Sequence, residues 1–316
     1  MQKIAFIFPG QGSQVIGMGA DLIKKYPEAD ELFQIANSAL ADKGIDLKKL
    51  CINGPEKELS NTINAQPAIL TVSMTLYQLL KKNDIKADIL AGHSLGEYSA
   101  LVAASSIGFK DAVKLVRKRG EYMQKAIPEG FGTMAAIISP KKEKIEDLIK
   151  ETSEYGCIEV ANYNSPYQIV VSGKSQAIHE LLELTEQAED INIVPLKVSV
   201  PFHSSFMGKA KEELAVYLEQ VDIQNPQIPV ICNLTADYVK VKIEIIRALI
   251  EQLTHPVRWV ETINRMILDG VNCFVEVGPG DVLKKLIRQI MPGVRVFSVN
   301  DSESLQKIIY DFKKIN

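Results

Sequence analysis

The sequence is poor in the features that would send it to several large classes of protein. Its 316 residues hold four cysteines, Cys51, Cys157, Cys232 and Cys273. They are scattered, with no C-x-x-C and no histidine pair nearby, which argues against metal or redox use and fits a reduced, cytoplasmic compartment. Lys and Arg number 36 against 39 Asp and Glu, a formal net charge of -3. There is no basic excess, so nucleic acid is not implied as a partner. No apolar run approaches the length that spans a bilayer, so no membrane segment is expected. The start, Met1-Gln2-Lys3-Ile4, lacks a signal-peptide layout and enters a predicted strand at once. Glycines follow that strand at Gly10, Gly12, Gly17 and Gly19, but not in the G-x-G-x-x-G spacing. No P-loop lysine follows either, so a nucleotide cofactor is not expected. Internal repeats and low-complexity segments are absent. What is abundant is apolar: 46% of the residues are hydrophobic, enough for a sizeable core.

The most informative stretch is Ala91-Gly92-His93-Ser94-Leu95-Gly96-Glu97. A short apolar segment, 85–91, reads as a buried strand before it. Small apolar residues at 98–106 read as a packed helix after it. Gly92 to Gly96 is therefore a G-x-S-x-G at a strand-to-helix turn, the context in which this motif exposes a nucleophilic serine. The first N–H groups of the helix lack helical partners and can hold a developing oxyanion. A tight turn with a capping serine is the plainer alternative for Ser94.

Residues 3–8 read as a buried strand, 21–41 as one helix, and 66–82 as a central helix that is apolar almost all round. A helix over 109–126 has apolar positions at Ala112, Val113, Leu115, Val116, Tyr122 and Met123. Arg119 falls on that stripe, three after Val116 and four before Met123. Its guanidinium cannot lose its charge and so needs an anion there; a buried carboxylate pair or a snorkelling side chain would also satisfy it. Lys114, Arg117, Lys118 and Lys125 cover the opposite face. From 132 the pattern is strand 132–139, helix 141–152, strands 157–162 and 168–172 joined through 163–167, helix 175–189 and strand 192–198. That β-α-β-β-α-β order is a ferredoxin-like unit. His203, one of four histidines, lies at its exit in Pro201-Phe202-His203-Ser204; His179 reads as solvent-facing and His255 as a loop residue. Strands then alternate with helices to the end: strand 228–232, helices 242–253 and 258–268, strand 271–277, helix 281–290, strand 295–299 and helix 302–314. The expected class is α/β with a largely parallel sheet covered on both faces. The expected division is a core of 1–127 and 199–316, with 128–198 as a small subdomain.

Seven segments occur in a specific order: Phe8-Pro9-Gly10-Gln11-Gly12-Ser13-Gln14; Gly92 to Tyr98; Arg119-Gly120; Asn162-Tyr163-Asn164-Ser165-Pro166; Pro201 to Ser204; Gln252-Leu253 with Pro256-Val257-Arg258-Trp259; and Glu276-Val277-Gly278-Pro279-Gly280. Together they resemble the malonyl-CoA:acyl-carrier-protein transacylases of type II fatty acid synthesis, over nearly the whole chain. The resemblance implies an α/β-hydrolase-like core with a ferredoxin-like insert. It makes Ser94 the nucleophile, His203 its general base and Arg119 the partner of the malonyl carboxylate. It implies that the backbone N–H groups of Gln11 and Leu95 form the oxyanion hole. The backbone carbonyl of Gln252 would orient His203, and His93 and Asn162 would support these groups from behind. The implied partners are malonyl-CoA and acyl carrier protein; no metal and no other cofactor are implied. The orienting carbonyl accounts for an absence, since no acidic residue stands out for the third place of a hydrolase triad. Phe202 implies a pocket narrowed against branched acyl groups.

Three other readings share parts of this pattern. A serine esterase or thioesterase has the elbow but no use for Arg119 on an apolar stripe. A stand-alone acyltransferase of a polyketide synthase has the same chemistry and a different carrier protein. A non-catalytic acyl-binding module is at odds with intact Ser94 and His203.

Overall fold

The computed structural model describes residues 2–140, 142–185, 190–198 and 200–314. Among them run ten strands: β1 (Ile4–Phe8), β2 (Ile89–Gly92), β3 (Gly132–Ile138), β4 (Ile158–Ser165), β5 (Gln168–Lys174), β6 (Asn192–Pro195), β7 (Val230–Ile231), β8 (Tyr238–Val239), β9 (Cys273–Val277) and β10 (Arg295–Val299). Six form one sheet in the order β10-β9-β1-β2-β7-β8. All its pairings are parallel except that of the edge strand β8 with β7.

Alternation along the strands divides the core between the two faces of this sheet. Phe6, Phe8, Leu90, Cys273, Val275 and Val277 point into the larger apolar cluster. Ala5, Ile7, Ile89, Ala91 and Phe274 point into a second cluster with Trp259, Ile263 and Leu286. Both faces are covered, which is why these strands read as continuous apolar runs rather than as half-polar ones.

The helix Thr62–Lys82 lies inside the larger cluster, buried from Thr62 through Leu80 on nearly every side. Pro67 within it has no N–H for the carbonyl of Ile63, four residues back. That carbonyl instead accepts from Arg117 Nη1 at 3.2 Å, and the same nitrogen reaches Asn64 Oδ1 at 2.5 Å. The helix Phe109–Lys125 packs here, with Gly120 so close that a Cβ would lie 2.9 Å from Ile63 Cα. This contact brings Arg119 to the central helix.

The second sheet, β4-β5-β3-β6, is antiparallel throughout. Helices Lys142–Thr152 and Ser175–Thr185 connect its strands in the β-α-β-β-α-β order. One face packs on these helices through Ala135, Ile137, Val171, Ile178 and Leu181. Met134, Ala136, Ala161 and Val170 on the other face join the main core.

Several elements depart from their predicted bounds. The single helix predicted over 21–41 is two, Ala20–Lys25 and Pro27–Ala39, because Pro27 holds Tyr26 extended at φ -129°, ψ 113°. The predicted connection 163–167 is shorter, as Tyr163 to Ser165 continue β4 through register shifts. The predicted helices 141–152 and 175–189 have ends, at 141 and 186–189, that lie outside the described residues. Position 199, the predicted seam, does too. Short helices Leu47–Asn53 and Glu56–Ser60 were not foreseen. No helix among the described residues is long and apolar enough to cross a membrane.

Candidate active site

Ser94 sits between β2 and the helix Gly96–Ala103, at φ 50°. A non-glycine residue in the left-handed region is strained and must be held there by its surroundings. Gly92 and Gly96 make the turn possible. A Cβ on Gly92 would lie 1.9 Å from the Gly96 carbonyl, and one on Gly96 would lie 2.0 Å from the Phe8 carbonyl oxygen. Strand, turn and helix are thus in backbone contact, and any side chain at either position would push them apart.

His203, at the exit of the second sheet, is also left-handed, at φ 56°. Its Nε2 is 2.8 Å from Ser94 Oγ, and its Nδ1 is 2.8 Å from the backbone oxygen of Gln252. A carbonyl can only accept, so Nδ1 carries the proton and Nε2 offers its lone pair to the Ser94 hydroxyl. Burial, and next the Arg119 charge nearby, push His203 down to about 3. The imidazole is therefore neutral at physiological pH, the form a base requires.

Arg119 is 2% exposed. Nη1 donates to Gln66 Oε1 and Nη2 to Gln252 Oε1, each at 2.9 Å, and Nη2 also reaches Ser94 Oγ at 3.2 Å. Its Nε has no hydrogen-bond partner. The guanidinium lies over the Tyr98 ring, 5.4 Å from the centroid. Two neutral amides hold it, and no carboxylate among the described residues is paired with it. A buried cation with no carboxylate in direct contact has room in its charge balance for one.

A cavity of about 450 Å³ opens on these groups, lined among others by Gln11, Leu95, Asn162, Met123, Met134, Phe202 and Lys197. The amide N–H of Ser94 is taken by Asn233 Oδ1 at 2.7 Å. Those of Leu95 and Gln11 make no hydrogen bond to the described residues. All eight residues singled out in the sequence, Gln11, His93, Ser94, Leu95, Arg119, Asn162, His203 and Gln252, are in or directly behind this cavity. His93 is supported by a residue not singled out: its Nε2 meets Asn164 Oδ1 at 2.8 Å, and its ring lies edge-on to Trp259 at 5.5 Å. Asn162 itself lines the cavity.

Four contributors were not singled out in the sequence. Gln66 and Asn233 carry no local signal, and Asn164 stands in a quoted segment that did not set it apart from its neighbours. Glu97 stands in the motif, and its burial could have been inferred from the packed helix that follows. It accepts from the Asn233 N–H at 2.8 Å and from Gln252 Nε2 at 2.9 Å. Burial pushes it up to about 7, against the opposing pull of those two donors and of Arg119. The other two histidines are elsewhere: His179 is exposed beside Glu183, and His255 is exposed beside Glu251. The predicted basic face of Lys114, Arg117, Lys118 and Lys125 is only partly free. Arg117 and Lys118 both pair with Glu121, at 3.2 and 2.9 Å, and three of the four line a separate cavity. The four cysteines are unpaired. No group of three or more His, Cys, Asp or Glu among the described residues is arranged to hold a metal ion.

Elbow, neutral histidine and oriented backbone amides on a parallel sheet define a serine acyl-group transferase or hydrolase. The acyl transferase domain family matches residues 5–308, and the chain belongs to it. It is 44% identical over 317 residues to the malonyl CoA-acyl carrier protein transacylase of Bacillus subtilis (strain 168), covering 100% of this chain and 99% of that one. The crystal structure of malonyl CoA-acyl carrier protein transacylase from Clostridium perfringens ATCC 13124 superposes with a TM-score of 0.92 at 38% identity, covering 99% and 98% of the two chains. A malonyl-transacylase solved in complex with its type II polyketide acyl-carrier protein superposes with a TM-score of 0.93 at 39% identity, covering 98% and 100%.

Proposed function

We propose that this chain transfers a malonyl group from malonyl-CoA to the phosphopantetheine thiol of acyl carrier protein through a malonyl-Ser94 intermediate, supplying fatty acid synthesis. The observation that carries this reading is the position of Arg119 Nη2, 3.2 Å from the Ser94 hydroxyl. A malonyl thioester has one methylene between its reacting carbonyl and its carboxylate, so both ends need partners within one short span. A planar guanidinium meets the carboxylate with two parallel hydrogen bonds. An esterase or thioesterase would have no use for that buried cation.

In the forward half-reaction His203 Nε2 takes the Ser94 proton as Oγ attacks the thioester carbonyl. The amides of Gln11 and Leu95 receive the oxyanion, each such donor being worth roughly 3 kcal/mol. Collapse breaks the carbon–sulfur bond, and the CoA sulfur takes the proton from His203. The carrier thiol then gives its proton to His203 and attacks the malonyl ester, and Ser94 Oγ leaves with that proton. The Gln252 carbonyl holds the imidazole by its other nitrogen throughout. His93 and Asn162 brace the elbow and the cavity wall, and Phe202 beside His203 limits acyl bulk.

We assign 1–127 and 199–316 to one catalytic unit and 128–198 to an inserted subdomain, supported by the absence, among the described residues, of any strand shared between the two sheets. The unpaired cysteines support a cytoplasmic setting. The relatives are malonyl CoA-acyl carrier protein transacylases, and the polyketide carrier belongs to the neighbour solved with it. Mass spectrometry after mixing with malonyl-CoA tests the mechanism. One malonyl group should appear on Ser94, none on Ser94→Ala, and a label mapped to any other residue refutes the assignment.

A further inference from the structure

Gln252 serves two groups at once. Its backbone oxygen holds His203 Nδ1, and its side-chain oxygen holds Arg119 Nη2. The side-chain contact depends on which way the amide faces. Its Nε2 is surrounded by three oxygens: Glu97 Oε2 at 2.9 Å, the Ser94 carbonyl at 3.2 Å and Asn233 Oδ1 at 3.3 Å. Turned over, the amide would set its oxygen against these three and its NH₂ against the guanidinium. Of the three acceptors, Glu97 is nearest and is the only ionisable one. It is itself anchored by the Asn233 N–H at 2.8 Å.

We propose that Glu97 is a positioning residue for acyl-group selection: through Gln252 it fixes Arg119 in the orientation that receives a carboxylate. The inference rests on the assignment of Arg119 as the reader of the malonyl carboxylate. It gives the acidic residue of this site a task different from that in a hydrolase triad. There the carboxylate touches the histidine; here it stands behind the amide that holds the arginine. The base is oriented by backbone and the specificity group by a side-chain chain of hydrogen bonds, Glu97–Gln252–Arg119. A change at Glu97 therefore acts chiefly on substrates that use Arg119. Acetyl-CoA has no carboxylate and meets the same Ser94, His203 and amides without relying on it.

The experiment compares kcat/KM for malonyl-CoA and acetyl-CoA in the full chain and in Glu97→Met, Glu97→Gln and Arg119→Ala, with thermal melting as a check of folding. Met keeps the volume of Glu and removes the acceptor; Glu97→Ala replaces it where Met does not pack. Gln keeps an acceptor oxygen for both donors. Loss of the buried acceptor should lower the malonyl:acetyl ratio of Glu97→Met roughly thirtyfold, with most of the change in the KM for malonyl-CoA. Glu97→Gln should restore the ratio to within about threefold of the parent, because the acceptor is retained. Equal losses for both substrates in a folded Glu97→Met would overturn the proposal and make Glu97 a support of the elbow. A Glu97→Gln as impaired as Glu97→Met would overturn it too, since the hydrogen bond would not be what matters. Arg119→Ala separates the two levels. If it loses malonyl preference and Glu97→Met keeps it, only the role of Glu97 falls. If Arg119→Ala keeps malonyl preference, the carboxylate reader is elsewhere and both fall.

Discussion

At Arg119 the side chain is held by two glutamine oxygens and has an unpartnered Nε, so no carboxylate among the described residues touches its charge, the nearest help coming from Glu97 behind Gln252. Arg119→Ala should lower kcat/KM for malonyl-CoA roughly a hundredfold or more while keeping, or raising, transfer of acetyl groups. Arg119→Lys should fall between, because a point charge cannot reproduce a two-pronged contact. Equal losses for both acyl groups would make the arginine structural. His203 makes a second expectation. Its depression to about 3 places the acid limb of kcat/KM well below the ordinary imidazole range. A limb near pH 6.5 shared by malonyl-CoA and acetyl-CoA, which does not rely on Glu97, would show that the base is not this buried imidazole. The stability sign follows from the same shift. The folded imidazole stays neutral while the unfolded one protonates below about 6.5, so this residue weakens the fold as pH falls from there toward about 3. Urea melts between these values, on the parent and on His203→Gln, should differ in slope accordingly.

The elbow depends on backbone touching backbone. Gly96→Ala would drive a methyl to 2.0 Å from the Phe8 oxygen, a clash that no rotamer relieves. It should destabilise by about 3 kcal/mol and remove activity, as Ser94 moves off the His203 nitrogen. A variant that melts and turns over like the parent would show that strand and helix can separate without loss. Much of the element pattern was legible: the buried strands, the apolar helix before the elbow, the stripe carrying Arg119 and the β-α-β-β-α-β order. Each rests on periodicity over many residues. The break at Pro27 carries its own local signal, since a proline disfavours helical backbone in the residue before it. The two-residue strand β8 and the helices Leu47–Asn53 and Glu56–Ser60 are too short for periodicity to register.

Across the whole molecule, a net charge of -3 gives no overall attraction to the phosphates of CoA or of a phosphopantetheine arm, so docking must use local charge. The arginine-bearing helix is a poor candidate for it. Glu121 engages both Arg117 and Lys118, and the cavity there shares no residue with the one over Ser94. Lys197 is exposed on the lining of the Ser94 cavity, where a phosphate on an incoming pantetheine arm could meet it. Lys197→Glu should raise the KM for carrier protein about fivefold, and Lys114→Glu should leave it within about twofold. The opposite ranking would return docking to the arginine-bearing helix.

The roles proposed for Ser94, Arg119 and His203 come from the family resemblance, but the three residues could be picked out as candidates because each is marked locally: Ser94 by its glycines, Arg119 by its place on an apolar stripe, His203 by the seam it occupies. Their convergence could not, since Ser94 and His203 are 109 residues apart and meet at 2.8 Å only through packing of the two sheets' ends. Nor could the shell behind them. Gln66, Asn164, Asn233 and the acceptor role of Glu97 are defined by hydrogen bonds between segments distant in sequence, such as Gln252 and Glu97, 155 residues apart. A buried amide or carboxylate leaves no periodic trace in a sequence. Which polar group it must satisfy is decided when the chain closes around it and water is no longer an alternative partner.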